Sequence, residues 1–162
     1  MELREGGPAD AEALCSLTAT VWRTAYVDVL GEEVVEDHLA ETNDPETLRE
    51  QFETHDLTAF VVGDPVVGSA VCRPADGGAP LYLTTLYVHP DRWGEGFGSR
   101  LLARVEREAR DRDIERVVLV VLDGNERARA FYERHGYEQM AVREESITDD
   151  VEELQYEKRL SE

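Results

Sequence analysis

Apolar residues change their spacing several times along this chain, and each change marks a structural element. Glu2-Leu3-Arg4 reads as a short strand, broken by Gly6-Gly7-Pro8. Pro8-Ala9-Asp10 then opens a helix, because proline suits a first turn. Ala13, Leu14, Leu17 and Val21 recur at helical spacing, and Trp22, Tyr26 and Leu30 continue at intervals of four. Asp44-Pro45-Glu46 marks another helix start, with Asp44 as its cap, and that helix runs to about His55. The period then shortens. Thr58 to Val62 and Val66 to Cys72 are β-branched runs flanking Gly63-Asp64-Pro65, which predicts a hairpin. Leu81 to Val88 is a third strand of the group, stopped by His89-Pro90-Asp91.

The second half is read the same way. From Ser99 to about Arg112, Leu101, Leu102, Val105 and Ala109 share one helix face, and Arg100, Arg104, Arg107 and Glu108 lie away from it. Val117 to Leu122 is a continuous apolar run, as in a strand buried on both faces. Asn125 to His135 is a bracketed helix, with Asn125 as N-cap and Gly136 just past its end. Tyr137 to Val142 and Glu153 to Lys158 close the chain as two strands. The order predicts an α/β (α+β) fold: a mixed central sheet of about six to seven strands with helices on both faces. With 162 residues and no linker-like stretch, one domain over 1–162 is expected.

Composition narrows the function. Thirty-six acidic against 17 basic residues give a formal charge of −19, and Lys158 is the single lysine. Such a surface repels nucleic acid and anionic membrane, so neither is an expected partner. Spread acidity with so little lysine resembles proteins of halophilic archaea, whose surfaces are adapted to high salt. The N-terminus lacks a basic stretch followed by an apolar run, so a cytoplasmic location is expected. Cys15 and Cys72 sit among apolar neighbours and read as buried hydrophobes. His38, His55, His89 and His135 are scattered, read as surface or packing residues, and no metal site is expected.

One segment carries chemistry. Between the Leu81–Val88 strand and the following helix stands Arg92-Trp93-Gly94-Glu95-Gly96-Phe97-Gly98-Ser99. Alternate glycines let backbone approach a ligand, and the amides of residues 94 to 99, with the helix dipole, make an anion cradle suited to pyrophosphate. A Walker loop is excluded for want of its lysine. A dinucleotide fingerprint fits poorly, since Ser99 stands where it needs glycine and Glu115 precedes its strand.

Leu86-Tyr87-Val88-His89-Pro90, then Gly-x-Gly-x-Gly, then Asn125-x-x-Ala128-x-x-Phe131-Tyr132-x-x-x-Gly136-Tyr137 resembles the GNAT acetyltransferases. The likeness is close over residues 81–142 and extends elsewhere by order of elements. It departs at Trp93, where the family usually has Gln or Arg, and at Glu95, whose side chain must point to solvent. The resemblance implies acetyl-coenzyme A as cofactor, wedged between strands Leu81–Val88 and Val117–Leu122. Its pantetheine arm would pair with backbone of Leu86 and Val88 beside Tyr87, and the Val88 amide would polarise the thioester. Arg92, Trp93, Gly94, Glu95, Gly96, Phe97, Gly98 and Ser99 would surround the phosphates, with Asn125, Ala128 and Tyr132 along the arm; Arg129 would either reach the phosphates or stand as a solvated charge. Tyr132 is implied as the general acid that protonates the departing thiolate. Trp22 and Tyr26, with Tyr82 and Thr84, would line the acceptor pocket for a small-molecule or peptide amine. No carboxylate stands on the strand before the glycine turn, so a water chain or Glu33 or Asp37 is left to act as base. Family members often dimerise, and a homodimer is an open expectation. The competing expectations are a non-catalytic acetyl-coenzyme A-binding module and a dinucleotide-binding protein.

Overall fold

The computed structural model describes residues 1–143 and 151–160. Among these, the strands are β1 (Leu3–Gly6), β2 (Thr58–Val62), β3 (Gly68–Pro74), β4 (Leu81–Val88), β5 (Arg116–Leu122), β6 (Glu138–Val142) and β7 (Glu153–Arg159). They form one mixed sheet in the order β1-β2-β3-β4-β5-β7-β6. Only β4 and β5 run parallel; every other neighbouring pair is antiparallel. The helices are α1 (Ala11–Val21), α2 (Val27–Leu30), α3 (Glu32–Thr42), α4 (Pro45–Thr54), α5 (Phe97–Asp111) and α6 (Glu126–Arg134).

The period-two alternation of β2 and β3 divides the helices between the two faces. Phe60, Val62, Ala70 and Cys72 point to one side, where they bury against Leu101, Leu102 and Val105 of α5. Ala59, Val61 and Val71 point to the other, where Leu14 of α1 and Leu48 and Phe52 of α4 cover them. The six-residue apolar run of β5 is buried except at Val120, as expected for a strand under cover on both faces. The single lysine is tied into the core edge. Lys158 Nζ lies 3.1 Å from Glu106 Oε1, and the Tyr137 hydroxyl donates to Glu106 Oε2 at 2.9 Å. No helix among the described residues is long and apolar enough to cross a membrane.

Two departures from the sequence reading shape the site. The stretch after α1 is not regular helix: Trp22–Tyr26 is a π-helical turn, which advances the phase before α2 and is a common feature of functional sites. Gly31, at φ +88, then ends α2, and α3 follows as a separate helix. Its apolar signal is thin, because only Val35 and Leu39 are buried. The hairpin also opens later than Val66. Val67 N–H turns back to the Val62 carbonyl at 2.8 Å, and β3 pairs only from Gly68.

Candidate active site

The parallel pair β4–β5 holds for two positions only, Leu81 opposite Val117 and Tyr82 opposite Val118, and then the strands part. The cause is local. Val71 pairs with Thr85 and Cys72 with Leu83, so Thr84 is an extra residue in β4, and its hydroxyl donates to the Val71 carbonyl at 2.9 Å. Such a bulge bends and twists its strand, here away from β5. Beyond it, His89 N–H donates to Val67 of the β3 side at 2.7 Å. Alternation then turns the backbone groups of Leu86 and Val88 toward the gap. The Trp93 indole reaches the Val88 carbonyl from that side, at 2.8 Å.

The gap ends at the cradle. Gly94 and Gly96 hold φ of +86 and +87, a conformation that costs an L-residue about 1–2 kcal/mol. Gly96 is the N-cap of α5, no side chain caps the helix, and no acidic residue occupies its first turn. The first amides of a 15-residue helix therefore face the cavity unsatisfied, at the positive end of its dipole. Gly98 is glycine for a different reason: a Cβ there would stand 3.3 Å from the Phe131 ring. Ser99 Oγ and His135 Nε2, 3.0 Å apart, tie the start of α5 to the end of α6. These groups fit a diphosphate, with uncapped amides at its centre and Arg92, Arg127 and Arg134 around the cavity wall.

This first chamber has a volume of about 480 Å³. Three phenols meet in it: Tyr26 from the π turn, Tyr87 from β4 and Tyr132 from α6. Burial pushes the Tyr132 hydroxyl well above its ordinary pKa, and the nearby Tyr87 adds to this. Burial also raises Tyr26 strongly, and a side-chain hydrogen bond with Asn125 pulls it partly back. Asn125 Oδ1 meanwhile accepts from Ala128 N–H at 3.2 Å, the cap expected from the sequence.

A second chamber of about 500 Å³ lies on the α1/α3/α4 side, walled by Thr84, Thr85 and Tyr87 of β4. Tyr87 lines both chambers, and its hydroxyl accepts from Trp22 Nε1 at 2.8 Å. His38 stacks on Trp22, ring centroids 4.3 Å apart, and borders the second chamber. Burial lowers the His38 pKa, against the opposing pull of Glu41 and Glu153.

The residues singled out in the sequence are distributed as follows. Leu86, Tyr87, Val88, Arg92, Trp93, Gly94, Gly96, Phe97, Gly98, Ser99, Asn125, Ala128 and Tyr132 all line the first chamber. Glu95 does not; it lies on the outside, 3.5 Å from Arg92. Arg129 also lies outside, donating to Tyr156 Oη, Asp123 and Glu126. Arg127 takes the position by the cradle, its guanidinium 4.2 Å from the centre of the Trp93 ring. Of the four acceptor-pocket residues, Trp22 and Thr84 line the second chamber, Tyr26 the first, and Tyr82 neither. Glu33 and Asp37 are exposed and border neither chamber. His38 and Arg73 in the second chamber had no sequence signal, because α3 and the far end of β3 meet only in the fold. No group of three or more His, Cys, Asp or Glu side chains converges among the described residues.

Residues 21–137 match the model of the acetyltransferase (GNAT) family. Several solved structures share the fold. The PaiA N-acetyltransferase of Thermoplasma acidophilum, in complex with coenzyme A, has a TM-score of 0.81 and 20% identity over 99% of this chain and 100% of that one. The ribosomal-protein-alanine N-acetyltransferase of Brucella melitensis has a TM-score of 0.75 and 22% identity, covering 99% and 100%. An aminoglycoside 6′-N-acetyltransferase complexed with coenzyme A has a TM-score of 0.72 and 21% identity, covering 98% and 97%.

Proposed function

Because the chain belongs to the GNAT acetyltransferase family, we propose that it transfers the acetyl group of acetyl-coenzyme A to a primary amine, by direct attack in a ternary complex. What supports this reading most is the pair of chambers that share Tyr87, one with an uncapped helix N-terminus at its end and one without. Two relatives in fold, PaiA and the aminoglycoside enzyme, were solved with coenzyme A. The acidic, lysine-poor surface is read with it as adaptation to high salt in a cytoplasmic protein, not as a substrate signal.

Acetyl-coenzyme A supplies the acyl group already activated as a thioester. The amides of residues 97–99, with Arg92, Arg127 and Arg134, hold its diphosphate. Leu86 and Val88 offer backbone to the pantetheine arm, in the manner of an added strand. The Val88 N–H donates to the carbonyl oxygen as negative charge develops, an effect worth about 3 kcal/mol where such a donor is in place. Tyr132, fully protonated near pH 7, gives its proton to the sulfur as the carbon–sulfur bond breaks, and recovers one from the new amide nitrogen. His38, neutral near pH 7, takes the proton that the ammonium must lose before its nitrogen can attack.

A non-catalytic acetyl-coenzyme A-binding module is the competing reading, favoured by the lack of a carboxylate on β4. Release of free thiol over a panel of amines separates the two. Tyr132→Phe is expected to lower turnover by about tenfold or more while calorimetric affinity for coenzyme A stays within about twofold. Tight cofactor binding with no turnover on any amine establishes the binding module instead, and an unaltered rate in Tyr132→Phe removes the acid assignment.

A further inference from the structure

We propose that the second chamber selects an amine bearing an anionic group at its far end, of the class of a short peptide with a free carboxylate, and that Arg73 holds that group. This rests on the acetyltransferase reading above and names its substrate class. The argument begins from charge. Although the chain has 36 acidic and 17 basic residues, this chamber carries little negative charge. Among the described residues the only carboxylate in its wall is Asp44, and both of its oxygens are engaged. Oδ1 accepts the Glu46 N–H at 3.2 Å, and Oδ2 accepts the Thr47 hydroxyl at 3.0 Å.

Arg73 is the one arginine lining the chamber among the described residues. It is half-buried, stands 5.5 Å from the centre of the Tyr82 ring, and makes no ion pair among the described residues. Most other arginines of the chain that reach a wall or a helix face are paired with carboxylates, as Arg112 is with Glu108 and Asp56. An unpaired guanidinium facing a cavity suits a carboxylate, which it can hold by two parallel hydrogen bonds. It repels the second ammonium of a polyamine.

Position sets the length of the acceptor. Arg73 pairs in register with Tyr82, whereas Tyr87, which lines both chambers, stands five residues further along β4. At about 3.3 Å per residue this is roughly 16 Å of strand, shortened by the bulge at Thr84 and by the reach of the arginine itself. A free amino acid, with its carboxylate one carbon from the amine, cannot span that distance. An extended peptide gains about 3.3–3.6 Å per residue and spans most of it in about three residues. The wall between the two ends carries Thr84, Thr85 and Ser69, which suit peptide backbone.

The test compares triglycine, its C-terminal amide and spermidine as acceptors in the thiol-release assay, at constant ionic strength. The free acid is expected to have a KM lower than the amide by about tenfold or more, the worth of one charge-assisted pair, with spermidine poorest. Arg73→Gln is expected to erase the acid-over-amide preference. Arg73→Lys, which keeps the charge, is expected to retain part of it, which separates loss of charge from loss of fold. Equal or better use of the amide or of spermidine overturns the inference, as does a preference that survives in Arg73→Gln. Turnover of other amines but of neither peptide also overturns it and leaves the acetyltransferase reading standing. No turnover of any amine sinks that reading and this inference together.

Discussion

A phenol and an imidazole face the two chambers with opposite proton demands, and burial serves both. Burial disfavours the charged form of either group. For Tyr132 the charged form is the phenolate, so the hydroxyl keeps its proton, as the proposed acid requires. For His38 the charged form is the imidazolium, so the ring is held toward its neutral form, as the proposed base requires. The groups nearest to His38 pull both ways. Glu41 on its own helix and Glu153 on β7 favour the imidazolium, but desolvation is the larger effect. Arg73, Asp44, His55 and the Cys15 thiol border the same chamber. His38→Gln keeps size and polarity and removes the base. At pH 7 it is expected to lower kcat/KM by about tenfold or more. The deficit is expected to close as pH passes the acceptor's own pKa, about 7.7–8.0 for a peptide amine and 10.4 for an alkylamine, because the amine then arrives deprotonated. Wild-type activity falls on the acid side as pH drops through a value below the usual 6.5 of histidine, the sign required of a base with a lowered pKa. A deficit equal at every pH would reduce His38 to a packing partner of Trp22.

At the scale of elements, α5 is the decisive piece, because its N-terminus is left for a ligand to cap. Gly96→Val tests this. The substitution puts a β-branched residue at φ +87, where even an unbranched residue is strained, and nothing within 4 Å crowds the new Cβ. The damage therefore falls on the direction of the amides more than on packing. Affinity for coenzyme A, measured by calorimetry, is expected to fall by about tenfold or more with a Tm loss of only a few degrees. Unchanged affinity would mean that the diphosphate binds elsewhere. This element was legible in the sequence because each of its requirements is local: a positive φ needs glycine, and α5 shows its apolar stripe. The same holds for Asn125 at the start of α6. The second chamber was not legible, for two physical reasons. A π-helical turn at Trp22–Tyr26 shifts the phase of the helix, and intervals of four do not tell which aromatic faces which chamber. Tyr26 joins Tyr132, and Trp22 joins His38. Long-range pairing also decides which arginine is free. Arg129 is the arginine expected at the cofactor, but its guanidinium is taken up by Tyr156 on β7 and by Asp123, and Arg127, two residues earlier, lines the first chamber.

Over the whole molecule, the excess of negative charge has to be carried by a core that is otherwise ordinary. Surface ion pairs such as Arg23–Glu36, at 2.9 Å with both partners about half exposed, contribute about 0–1 kcal/mol each. Screening them loses little. The unpaired carboxylates repel one another over a Debye length of about 10 Å at 0.1 M salt and about 3 Å at 1 M. Screening that repulsion gains more, because 36 acidic residues outnumber 17 basic ones. The half-buried contact of Lys158 with Glu106 is screened less than these exposed pairs. Tm is therefore expected to rise steadily between 0.1 and 2 M KCl. Salt also strengthens apolar burial in general, so the charge origin needs its own control. Glu32, Glu33, Glu50 and Glu53 are exposed and border neither chamber. Changing all four to Gln is expected to raise Tm at 0.1 M KCl and to flatten its dependence on salt, with coenzyme A affinity compared at each concentration. If repulsion is the cause, the curves of the two proteins converge at high salt. A wild-type Tm that falls with KCl, or two curves that stay parallel, would assign the acidic surface to something other than a salt-adapted balance of charge.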